Sequence, residues 1–270
     1  MHWLATTRDA AASGEGGGFE APTLDDFFPP AFWEPTGWFE FNRLSLVRVI
    51  ATIALCLLML AGARASKLIP GRGGNVFELA MGFVHKSIAV ELLGPAVGRR
   101  YFPLLATIFF TVFAMNITGV VPLLNVASTS LVAMPLLLAL IAWVAFIAAG
   151  IKRHGVGGYF KTALFPAGAP KFIYVILTPI EFLSTFVLRP ATLTIRLMAN
   201  MIAGHFLLVA FFTMTNYLLI EASAAIKGVA VLTFAAALAF TLFEIFIAAL
   251  QAYIFTLLTT VYISLSREAH

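Results

Sequence analysis

Two predominantly apolar stretches close the chain and constrain it more than any other feature. Phe172–Ile220 is 49 residues long, and Ala222–Leu265 follows it, broken mainly by Lys227, Glu244 and Gln251. As single helices each would measure about 65–75 Å, more than twice the thickness of a bilayer's hydrocarbon core. Either each stretch folds into two spans, which needs tight polar turns that the sequence does not offer, or the two form a long, steeply tilted hairpin turned near Asn216–Lys227. Ionisable residues inside both arms favour the hairpin, because they need a protein or water surface to face.

The rest of the chain agrees with lipid as the main solvent. Hydrophobic residues make up 61% and charged residues only 11%, against about 25% charged in a soluble domain. This composition excludes a disordered chain, a disulfide-built secreted domain and an ordinary soluble enzyme. Cys56 is the single cysteine, so no intrachain disulfide or thiolate metal site can form. Further apolar runs predict helices over 44–63, 102–124 and 131–151, with an amphipathic interfacial helix over 76–93. The expected fold is an all-α integral membrane protein. It has about five membrane-embedded helices plus the interfacial one, in a membrane domain over 44–270, and the last two helices (172–220 and 222–265) are long and strongly tilted as a hairpin.

Residues 1–43 form a separate segment, rich in acids and aromatics. Through Leu44 the chain carries seven acids against Arg8 and Arg43, and Phe27–Phe41 is dense in Phe, Trp and Pro. That run suits an aromatic belt at a membrane–water interface. The basic residues gather between helices instead: six lie in Arg64–Arg100, and four (Lys152, Arg153, Lys161, Lys171) in 152–171. The positive-inside rule places those two connections in the cytoplasm, with the N-terminus and the uncharged connection at 125–130 outside and the C-terminus cytoplasmic. Bases spread thinly over flanking loops form no stripe, so no nucleic-acid partner is expected.

Charges inside a membrane cost several kcal/mol and mark function. Arg196 and Asn200 are four residues apart and share a helical face. Glu244 and Gln251, seven apart, share another, and the two faces can meet across the hairpin. His205 lies about half a turn out of phase with Arg196. Arg196 is a permanent cation, whereas His205 and Glu244 can exchange protons. Together they make the inventory of a proton path with a fixed positive gate. Two alternatives are a structural ion pair of Arg196 with Glu181 or Glu244, and a packing role for His205. Arg189 precedes Pro190 and reads as a snorkelling residue. Asn116 lies in a span, so its Asn-Ile-Thr sequon is spurious. Gln251 is expected level with Arg196, its carbonyl accepting from the guanidinium. No phosphate loop, dinucleotide fingerprint, His-Glu-x-x-His or nucleophile elbow is present, and no cofactor or metal is expected.

The decapeptide from Arg196 to His205 (Arg-Leu-Met-Ala-Asn-Met-Ile-Ala-Gly-His) resembles subunit a of F-type ATP synthases, the channel subunit of the Fo stator. Asn116–Pro122, Thr178–Glu181, Arg189-Pro190, and Glu244 with Gln251 before Ala252-Tyr253-Ile254-Phe255 extend the resemblance from about Phe102 to the C-terminus. It implies a rotating ring of c subunits bearing mid-membrane carboxylates, peripheral-stalk b-type and other synthase subunits as partners, and two aqueous half-channels in a bacterial plasma membrane. It also implies a stator arginine at Arg196, with Asn200, His205, Glu244, Gln251 and Asn116 as polar lining and no catalytic site in the chain. His205 and Glu244 stand in the opposite order to some bacterial members. The competing reading is a stand-alone proton-coupled secondary transporter, which would usually carry two similar halves; no such repeat is visible. An intramembrane enzyme would need a nucleophile or metal set that is missing.

Overall fold

Glycine and proline decide where the helices begin and bend. In the computed structural model, residues 43–65, 72–121, 129, 131–165, 172–220 and 227–268 are described. Helix α1 is Arg43–Ala65 and α2 is Arg72–Phe83, which continues through a π-helical stretch, Val84–Val90, and a closing turn, Glu91–Leu93. Gly94 then takes a positive φ of 77°, a conformation costly for any residue with a Cβ, and Pro95 opens α3 (Pro95–Ile117) with its φ preset for a helix.

The sequence reading placed this span at 102–124. The helix instead starts seven residues earlier, because the Gly-Pro pair outweighs Arg99 and Arg100, and it gives way to a turn at Thr118–Val120. Helix α4, Ala133–Leu164, is kinked at Gly155 (φ 74°). Beyond the kink, part of the region read as a basic loop is helical. Helix α5 (Tyr174–Phe182) passes through a second π-helical stretch, Leu183–Leu188, into α6 (Arg189–Ile220), and α7 is Lys227–Glu268. The acidic N-terminal segment and the turn expected within 216–227 lie largely outside the described residues.

The described residues contain helices and no strands, and five helices are long and apolar enough to cross a membrane. Tyr174–Ile220 and Lys227–Glu268 run 47 and 42 residues, beyond the roughly 20 a perpendicular span needs. They pack along each other and against α3 and α4. One core joins Ile108 and Val112 of α3, Leu138 and Ala142 of α4, Leu193 and Leu197 of α6, and Phe255 of α7. A second joins the π stretch after α2, through Val84 and Ala89, to Leu105, Phe146 and Ile263. Large apolar side chains such as Leu57, Val231, Leu242 and Phe246 point outward, as lipid or an apolar partner requires.

Gly98 makes the closest backbone approach in this second region. A Cβ there would stand 2.6 Å from the Ala89 carbonyl oxygen and 3.0 Å from Val90 Cα. Backbone cannot swing aside as a flexible side chain does, so Gly98→Ala should separate α3 from the π stretch at a cost of about 1–3 kcal/mol. The expected result is a lower thermal unfolding temperature of the purified protein than in wild type. An unchanged unfolding temperature would show that the contact is slack.

Candidate functional site

Small residues bring α6 and α7 close together. Ala230, Ala237, Ala248 and Ala252 of α7 are all buried, and small side chains let membrane helices approach. Their antiparallel register is marked at several levels. The Thr215 hydroxyl hydrogen-bonds that of Thr233 at 2.9 Å, Phe211 stacks on Phe240 with centroids 4.9 Å apart, Gly204 faces Glu244, and Asn200 meets Gln251. Each pair is centred at about residue 225, so the two arms keep step over the whole distance.

Within this seam Glu244 is 3% exposed and Gln251 2%. A Cβ on Gly204 would lie 3.4 Å from the Glu244 carboxylate, so the missing side chain at 204 makes room for the acid. His205, the next residue, is buried and hydrogen-bonded to the backbone of Gly119, just past the end of α3. Asn116, in the last turn of α3, is fully buried, and its side-chain carbonyl accepts from the Thr129 hydroxyl at 2.9 Å. Asn116, His205 and Glu244 therefore converge where α3, α6 and α7 meet. Both carboxylate oxygens of Glu244, the Gln251 amide nitrogen and the Asn116 amide nitrogen are buried without a hydrogen-bond partner among the described residues. A buried polar group left so costs about 1–3 kcal/mol, more if charged. Such a cluster calls for water or for a partner's polar groups.

Arg196 is half-buried, and among the described residues no carboxylate pairs with it. The ion pairs with Glu181 or Glu244 that the sequence left open do not form. The expected Arg196–Gln251 hydrogen bond is also absent. The Gln251 carbonyl instead accepts from the Asn200 side-chain amide at 2.8 Å, one helical turn beyond Arg196. The hairpin register is responsible: an Arg196–Gln251 pair would centre the two arms about two residues earlier than the Asn200–Gln251 pair that forms. Arg189 does not snorkel freely. Its guanidinium lies 5.7 Å from the ring centre of Phe146 and 5.1 Å from that of Tyr262. Three contributors escaped sequence reading: Gly119, Thr129 and Gly204. Gly204 at least sits inside the Arg196–His205 decapeptide, whereas Thr129 lies in an uncharged connection with no pattern to mark it. No cluster of three or more His, Cys, Asp or Glu fit to hold a metal occurs among the described residues.

The fold and seam define a multi-pass all-α membrane protein with a buried carboxyl, Glu244, held between two long helices. The profile of the family described as "ATP synthase A chain" matches residues 45–264. The chain is 44% identical over 253 residues to ATP synthase subunit a of Rhodococcus erythropolis (93% of this chain, 91% of that one). It is 40% identical to subunit a of a Parafrankia species (94% and 86%) and 37% identical to that of Pseudarthrobacter chlorophenolicus (99% and 100%). The chain belongs to the ATP synthase A chain family, the proton-translocating subunit of the Fo sector, and is a component of the synthase complex. The stand-alone transporter reading is not favoured.

Proposed function

We propose that the α6–α7 seam is the chain's proton path and that Arg196 is the stator cation facing a rotating ring of c-subunit carboxylates. The observation that carries this reading is Glu244, buried at 3% exposure with neither oxygen hydrogen-bonded among the described residues. Such a carboxyl is served by water or by a proton, and it stands level with His205. Asn116, His205 and Glu244 line the outer half-channel; Asn200 and Gln251 line the seam beside Arg196. Basic connections place the C-terminus in the cytoplasm of a bacterial cell and the N-terminus outside. The c-ring and b-type stalk subunits are the partners, and this chain supplies no catalytic site.

Gln251 gives the test. Its carbonyl holds Asn200, not the guanidinium, so Arg196 stays available for a ring carboxylate. A carboxylate at 251 would be a buried anion about one turn from Arg196, and it would compete for the cation with an attraction of about 3 kcal/mol at roughly 6 Å and an effective dielectric near 20. Gln251→Ala only strips Asn200 of an acceptor, a loss of about 1 kcal/mol. Gln251→Glu should therefore cut ATP-driven acidification of vesicles about tenfold or more, and Gln251→Ala by only a few-fold, at equal complex content. Equal or milder loss in the Glu variant refutes this role for the seam.

A further inference from the structure

Arg189 has no place in the path described so far, yet its surroundings are built. Phe146 of α4 and Tyr262 of α7 stand edge to face, centroids 5.8 Å apart, and the Arg189 guanidinium lies over both rings. The Ser266 hydroxyl donates to the Phe146 carbonyl at 2.6 Å and is hydrogen-bonded to the Tyr159 phenol, itself 2% exposed. Three helices and the segment past the Gly155 kink thus close around one cation. Among the described residues no carboxylate pairs with it. Glu181 lies two turns earlier, and Glu268 accepts from Ser264.

Depth adds to this. Tyr262 is six residues before the last described residue of α7, and Phe146 is nine before the α4 kink at Gly155, so the guanidinium sits about 9 Å inside the one and about 13 Å before the other. Arg189 and Arg196 are seven residues apart, on one stripe of α6 within about 20° and separated by about 10 Å. Arg189 is only partly buried, its guanidinium has five N–H donors, and the rings satisfy none of them fully. In a membrane this needs a water-filled space.

We propose that Arg189 is a second fixed cation, set in a water-filled vestibule on the cytoplasmic side of Arg196, and that it keeps metal cations out of the proton path. The idea rests on the channel reading above. Bacterial cytoplasm offers potassium in vast excess over protons. A metal ion must reside beside Arg189 and meets its full repulsion. A proton can instead pass by rearranging hydrogen bonds along that water, without a cation dwelling there. The aromatic clamp holds the charge in place, so it cannot swing out to the headgroups.

The test uses assembled complexes in membranes stripped of the catalytic head. Passive proton flux is compared in potassium chloride and in choline chloride at matched ionic strength, so that screening is equal and only the small cation can enter. Wild type should give a flux ratio near one. Arg189→Gln, and Arg189→Met in case the Gln variant does not assemble, should lower the ratio about fivefold. Arg189→Lys, which keeps the charge without the flat guanidinium, should stay near wild type. A ratio near one in both neutral variants overturns the proposal. So does a Lys variant as potassium-sensitive as the neutral ones, which would reduce Arg189 to packing. Stripped wild-type membranes that conduct no protons in either salt would overturn the channel reading itself.

Discussion

Replacing Arg196 with alanine is expected to abolish ATP-driven proton pumping by the assembled complex while raising passive proton leak. The guanidinium is half-buried and unpaired by any carboxylate among the described residues, so its field is available to whatever passes it. At 4 Å and an effective dielectric near 20 it favours an ionised carboxylate by about 4 kcal/mol, roughly a thousandfold. On the proposed path it would also bar a proton from crossing directly between half-channels. Alanine removes both effects at once: a ring carboxylate loses its reason to ionise beside the stator, and the barrier to short-circuit falls. Vesicle acidification driven by ATP and proton flux after removal of the head should therefore move in opposite directions. Normal coupled pumping in assembled Arg196→Ala complexes would remove Arg196 from the stator role.

Glu244→Gln is expected to slow passive proton conduction by about tenfold or more, since positioned acid–base groups contribute on the order of 10²–10⁴ to proton transfer. The substitution is close to isosteric, and Gly204 leaves the space that either side chain needs, so assembly should persist. What disappears is the ability to take up and release a proton beside His205. Glu244→Asp keeps that chemistry with a shorter reach and should recover part of the rate. Flux in stripped membranes, normalised to complex content, separates the three chains. An unchanged rate in the Gln variant would show that protons bypass position 244.

Much of this site was legible before any coordinates. Helical spacing alone put Arg196 with Asn200 and Glu244 with Gln251 on facing stripes, because charges in an apolar helix stand out and the period is fixed. Which residue on one stripe touches which on the other was not legible. That depends on where the hairpin turns, and moving its centre by about two residues, which slides one arm by a full helical turn, replaces an Arg196–Gln251 contact by Asn200–Gln251. The early start of α3 was present in Gly94-Pro95, but two arginines masked it. The π-helical stretches left no trace, since a wider hydrogen-bond ring changes no residue pattern. Thr129 reaches Asn116 only through the folded connection, and no spacing rule spans that distance.

The alanines along α7 have an electrical consequence. Helices drawn together over Ala230, Ala237, Ala248 and Ala252 leave no gap for an acyl chain to enter from the side. Whatever water serves Glu244 must then arrive from an end of the seam and go no further than the side chains allow. Lateral escape of charge into the bilayer is hindered where those four alanines lie, much as a sheath insulates a conductor. Widening that sheath at Ala237, seven residues from Glu244, would let charge leak sideways, and the organism would register it as respiration without phosphorylation.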